Sequence, residues 1–100
     1  MRIGTNYCVY EVDNLPGCSQ VAVSHSVFMK PAHRGKGHGK SELELRISQY
    51  VKLGYDYVMC TTMDDNVKEI ECLEHMGFHR MDSFRSSKTG HTVVLWGLGL

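Results

Sequence analysis

Most of what marks a specialised protein class is missing from this chain. Cysteine occurs at four positions, Cys8, Cys18, Cys60 and Cys72, and never as a C-x-x-C pair. That spacing disfavours a disulfide framework or a zinc knuckle, and reduced thiols in a cytoplasmic protein are expected. Net charge is absent as well, since 11 basic side chains balance 11 acidic ones. A broad footprint for nucleic acid or a membrane surface is excluded on that ground, so any basic function has to be local. No apolar run reaches membrane-spanning length and no charged-then-apolar leader is recognisable, so no membrane partner is expected. His75 and His79 are four apart, but Gly77 between them would break the helix that has to align them as ligands. No metal site is expected.

What remains is ordinary globular material, 42% hydrophobic and 22% charged in 100 residues. It suffices for one domain over residues 1–100, with a modest core that a bound ligand would reinforce. Thr5–Val12, rich in aromatic and β-branched types, reads as a strand. Asp13-Asn14-Leu15-Pro16-Gly17 is turn chemistry, and Gln20–Met29 reads as the second strand of a hairpin. Alternation puts Val21, Val23, His25 and Val27 on one face of it and Ala22, Ser24, Ser26 and Phe28 on the other. Pro31 ends that strand.

A helix is expected from Lys40 to Leu53, with Leu43, Ile47, Tyr50 and Val51 as its apolar stripe and Gly54 closing it. Tyr55–Met63 reads as a strand parallel to the earlier one, because a helical crossover joins them. Asp64 and Asp65 supply cap chemistry for a second helix, Asn66–Met76, whose inner stripe is Val67, Ile70, Leu73 and Met76. Strands Phe78–Phe84 and Thr92–Leu98 follow, joined by a turn at Ser86–Gly90. The order β-β-α-β-α-β-β predicts an α+β fold, an α/β-like mixed sheet built on one β-α-β unit.

The stretch Val27-Phe28-Met29-Lys30-Pro31-Ala32-His33-Arg34-Gly35-Lys36-Gly37-His38-Gly39-Lys40 organises the rest. It joins a strand end to a helix start through a glycine-rich basic turn. Helix N-termini present unpaired N–H groups and a positive dipole end, and glycines let backbone approach a phosphate closely. Arg34, Lys36 and Lys40 add charge. The stretch is therefore a candidate phosphate or pyrophosphate site, or else a plain connector.

These residues resemble the GNAT superfamily of acetyl-CoA-dependent N-acetyltransferases. In that family a strand ending V-x-V/M-x-P precedes R/Q-x-x-G-x-G/A at a helix start, matched here by Val27–Pro31 and Arg34–Gly39. The family also has an Asn opening the next helix and a Gly-Phe closing it eleven residues on, matched by Asn66 and Gly77-Phe78. The resemblance covers roughly residues 5–98. It implies the GNAT acyl-CoA N-acyltransferase fold and transfer of acetyl from acetyl-CoA to a primary amine, a protein lysine or polyamine-like group, by direct attack. The backbone of Gly35, Lys36, Gly37, His38, Gly39 and Lys40, next to Arg34, would hold the pyrophosphate of acetyl-CoA. The pantetheine arm would run along Val27, Phe28 and Met29, with Asn66 bonding to it, and an N–H near Met29 would polarise the carbonyl.

The departures from the pattern are informative too. Leu73 stands where many members place the Tyr that protonates the leaving thiolate, and Glu69 replaces a common Ala. Cys60-Thr61-Thr62 stands where many carry a Glu base. His25, on the strand feeding the turn, is a candidate base, and Glu11 on the neighbouring strand is a second; packed or solvated roles stay open for both. About twenty residues precede the cofactor strand, so a truncated member without the two N-terminal helices is expected, its acceptor groove completed by a protein acceptor or a homodimer partner. The alternative is a non-catalytic acyl-CoA-binding or protein-interaction module of the same fold. Three cations without aromatic platforms are too thin a footprint for nucleic acid.

Overall fold

Three antiparallel strands form the first half of the sheet: β1 (Arg2–Gly4), β2 (Cys8–Leu15) and β3 (Cys18–Met29). The computed structural model describes residues 1–100. Pro16 and Gly17 alone make the hairpin turn, with Leu15 opposite Cys18 and Gly17 at φ 80°. That is the conformation a Pro-Gly turn favours. The expected five-residue turn is thus too long. Asp13 and Asn14 belong to β2, where their side chains bond to His25 and to the Tyr55 hydroxyl. The strand expected at Thr5–Val12 begins instead at Cys8, because Thr5 Oγ1 accepts from the N–H groups of Tyr7 and Cys8 and curls the backbone there. β1 was not foreseen, being three residues without alternation.

A single 3-10 turn, Pro31–His33, leads through the glycine segment into α1 (Gly39–Lys52). After it come β4 (Tyr57–Met63), α2 (Val67–His75), β5 (His79–Arg85) and β6 (Thr92–Gly99). The six strands lie in the order β1-β2-β3-β4-β6-β5, with β3 and β4 parallel and the other neighbours antiparallel. This is the α+β mixed sheet that the element order implies.

Both crossovers step the same way, β3 to β4 and β4 past β6 to β5. With a common right hand they place α1 and α2 on one face. The two helices touch, and Leu43, Tyr50 and Leu73 share one core with Cys8, Tyr10, Val12, Ala22, Val58, Val94 and Trp96. The helix stripes are narrower than their periodicity suggests. Val51 and Val67 are exposed, while Glu42 and Arg46 are buried on α1. The opposite face of the sheet has no helix over it, and Met63, Met81 and Phe84 there are 43, 44 and 53% exposed.

Two irregularities in β3 position the site. A register shift leaves Ser26 and Val27 together opposite Tyr10, and Ser26 adopts φ 54°. This bulge reverses the alternation. Met29 lies opposite the buried Cys8, so Val27 and Met29 join the face of Ala22 and Ser24, contrary to the grouping of Val27 with His25. Second, β3 and β4 pair only over Val21–Val23 and Tyr57–Met59. Beyond those residues the strands part, and a cleft opens between them.

Candidate active site

The glycine turn builds the first part of the site. Gly35 and Gly37 hold φ of 70° and 74°, and a Cβ at either would meet nothing within 4 Å. The backbone there is open to a ligand in a conformation that other residues resist. Gly39 is constrained differently, since a Cβ on it would come within 3.1 Å of Cys72 Sγ. His38 caps α1 through its backbone, with the first helical bond running from Glu42 N–H to His38 C=O at 2.8 Å, and no side chain makes a cap hydrogen bond at the helix start. Unpaired N–H groups and the dipole therefore face a cleft of about 480 Å³ lined by Met29, Gly35, Gly37, Gly39, Lys40 and Lys68 among others. An anionic, phosphate-bearing ligand fits those donors.

Met29 and Gly39 also line a second cleft of about 380 Å³, between the parted ends of β3 and β4. Its walls include His25, Ser26, Val27, Thr61, Asn66 and Glu69. From Ser24 onward β3 has no strand partner on this side, so its edge can accept an extended chain. Asn66 caps α2 and makes no side-chain cap bond, which leaves its amide available to the cleft. The cap expected from Asp64 and Asp65 is not formed. Asp64 N–H is engaged with the Thr92 carbonyl, and the turn delivers Asn66 to the helix start instead.

His25 stands at the rim. Its Nε2 is 2.7 Å from Asp13 Oδ2 and its Nδ1 is 2.9 Å from Ser26 Oγ. The hydrogen bond from His25, helped by one from the amino group of Met1, holds the Asp13 carboxyl below its ordinary value. Glu11 faces His25 across the β2–β3 ladder and lies 3.9 Å from the Met1 amino group, outside both clefts.

Beneath the second cleft lies a charged cluster that the sequence reading did not anticipate. Glu42 and Arg46 are 2 and 4% exposed, and Glu42 Oε1 lies 2.7 Å from Arg46 Nε. The approach is off-line, so the contact is ionic and Arg46 Nε lacks a hydrogen bond. Arg46 Nη2 reaches Glu69 Oε1 at 3.4 Å, and the Cys8 thiol donates to Glu42 Oε1 at 2.6 Å. Burial pushes the Glu42 carboxyl up while Arg46 draws it down. Burial opposes the charge on Arg46, but Glu42, Tyr50 and Glu69 outweigh it and hold the guanidinium protonated. The i,i+4 spacing of Glu42 and Arg46 was the available signal.

Of the other expected residues, Gly35, Gly37, His38, Gly39 and Lys40 converge on the first cleft and Val27 on the second, with Met29 shared. Arg34 does not point into the cradle. Its Nε donates to the Met29 carbonyl at 3.0 Å and its guanidinium covers the Phe28 ring at 4.6 Å. Lys36 and Phe28 line neither cleft. The His38 ring stacks on Tyr7 at 4.4 Å, leaving its backbone to the turn. Lys68, on the first turn of α2, adds a positive charge that motif spacing did not reveal.

Residues 4–78 match the family model described as the acetyltransferase (GNAT) family. No curated protein matches the chain. Among solved structures, the NatC complex bound to Gag peptide and CoA is 23% identical with a TM-score of 0.76, over 93% of this chain and 59% of that one. The structure of yncA from Salmonella typhimurium with its cofactor acetyl-CoA is 19% identical with a TM-score of 0.78, over 94% and 58%. The ribosomal-protein-S18-alanine N-acetyltransferase from Escherichia coli is 16% identical with a TM-score of 0.76, over 98% and 66%. The likeness is one of fold, and the chain spans about three fifths of the length of these structures.

Proposed function

Because the chain belongs to the acetyltransferase (GNAT) family, we propose that residues 1–100 act as one domain that transfers the acetyl group of acetyl-CoA to a primary amine, such as a protein lysine, by direct attack on the thioester. The observation that carries this reading is that the two clefts are neighbours, with Met29 and Gly39 lining both. A helix start suited to phosphate thus lies beside an unpaired strand edge, the two surfaces that a nucleotide-linked extended arm requires.

In this reading the N–H groups from Gly35 to Lys40 bind the pyrophosphate, with Lys68 adding charge. The arm lies along the β3 edge at Val27, Phe28 and Met29, and Asn66 bonds to it. An N–H near Met29 polarises the thioester carbonyl as negative charge develops on its oxygen. His25 accepts the proton of the attacking amine. Its place on the cleft wall favours it over Glu11. Four unpaired cysteines support a reducing, cytoplasmic setting. The uncovered sheet face supports a homodimer, which sedimentation would measure.

Leu73, 1% exposed in the core, favours a second reading, a module that binds acyl-CoA without transferring from it, since no hydroxyl stands there to protonate the thiolate. Calorimetric titration with acetyl-CoA, then thiol release with a panel of amines, tests both. Binding with amine-dependent release that falls about a hundredfold in His25→Ala is expected. Binding without release would favour the second reading, and absence of binding would remove both.

A further inference from the structure

Adjacent residues in a regular strand point to opposite faces, yet Ser26 Oγ lies 2.9 Å from the ring of its neighbour His25. The bulge at Ser26 makes this contact. Its φ of 54° is the one positive value at a non-glycine residue in the chain. A left-handed conformation at such a residue is strained and persists where the surroundings impose it, often at functional sites.

The contact also has a direction. An ionised Asp13 can only accept, so the His25 Nε2 at 2.7 Å carries the proton and donates it. In the neutral imidazole Nδ1 is then the accepting nitrogen, to which the Ser26 hydroxyl donates. A carboxylate orients an imidazole, and the imidazole draws on a serine hydroxyl at the mouth of a cleft. Those are the relations of a nucleophile, its base and the group that positions the base. The two ring nitrogens have exchanged places relative to the usual arrangement, Nδ1 facing the serine and Nε2 the carboxylate.

We propose that Ser26, His25 and Asp13 form a nucleophilic triad that gives the protein a second activity, the hydrolysis of activated acyl esters and thioesters through an acetyl-serine at Ser26. Ser26 Oγ bonds to the acyl carbon as the C–S bond breaks, and its proton passes to His25 Nδ1 and on to the departing thiolate. Water then attacks the acetyl-serine, giving up a proton to His25. Acetate leaves, and the serine hydroxyl is restored. Asp13 acts as the positioning residue. The thioester in question, acetyl-CoA, rests on the proposed cosubstrate; the triad itself does not.

The test mixes the whole chain, without any amine, with acetyl-CoA and separately with p-nitrophenyl acetate, an activated ester that needs no nucleotide site. Acid-quenched samples are examined by intact mass and peptide mapping, and release of the leaving group is followed. One acetyl group on the Ser26 peptide is expected from both donors. Ser26→Gly, which suits φ 54° and so keeps the backbone, should lose that acetyl group and lower amine-independent release about a hundredfold. Asp13→Asn should slow acylation by a similar factor. Modification of Ser26 by the ester alone, with no calorimetric binding of acetyl-CoA, would support the triad and overturn the cosubstrate. An unmodified Ser26 with both donors, together with release unchanged in Ser26→Gly, would overturn the triad even where amine acetylation proceeds.

Discussion

Gly37, at φ 74° with open space where a side chain would project, separates two contributions to ligand binding. Asn and Asp have the same shape and both tolerate left-handed backbone, so Gly37→Asn adds bulk while Gly37→Asp adds bulk and charge. If phosphate sits in this cradle, the Asp variant should bind acetyl-CoA about tenfold more weakly than the Asn variant at low salt, and the gap should shrink as salt rises. Equal affinities by calorimetry would place the phosphate elsewhere. The buried thiols set a second expectation. Burial pushes Cys60 up to about 12 and Cys8 up to about 11, from 9.0. An acid whose folded value lies above its unfolded one keeps its proton in the folded chain and loses it on unfolding. The stability this represents is whole below about pH 9 and is lost as pH rises toward the folded values, by at most about 1.4 kcal/mol per pH unit for each group. Denaturant titrations from pH 8 to 11 should show the decline, with a shallower slope in Cys60→Ala.

At the scale of elements, α1 carries its charge inward. Removing one member of a buried pair leaves the other uncompensated, so Arg46→Ala should destabilise the fold by about 3–5 kcal/mol. Replacing both, Glu42→Leu with Arg46→Met, should recover most of that loss in urea unfolding. A double variant no more stable than Arg46→Ala would mean that the pair holds the geometry rather than its own charge balance. The expected stripe of α1 contains neither residue, and the reason is physical. Periodicity shows which residues are apolar, but what β2 presents to the helix, the Cys8 thiol and the Tyr10 ring, depends on pairing across the sheet. The glycine turn and the Pro-Gly hairpin were legible because each depends on local backbone chemistry, whereas local cap chemistry pointed to Asp64 and Asp65 and only the family pattern singled out Asn66. The Ser26 bulge was not, since it arises from how Val9 and Glu11 register against β3. Asp13 reads as a turn residue by composition and becomes the partner of His25 only once the hairpin tightens to two residues.

At the scale of the molecule, two three-stranded half-sheets meet along a seam of three residue pairs, Val21–Val23 with Tyr57–Met59. A ligand lying along the β3 edge would add contacts between the halves. Amide exchange at Ser24–Met29 and in α2 should therefore slow when acetyl-CoA is added, with little change in β1. Uniform exchange across the chain would place the ligand away from the seam. The backbone ladder between the halves is therefore narrow at the cleft, and the core shared under α1 and α2 carries the rest of their connection. If the proposed cosubstrate seats there, it would be a cross-brace as well as a reactant, and giving up its acetyl group would leave the brace in place. Release of the spent carrier would then have to work against the stiffness it supplies, coupling turnover to how far the two halves can flex.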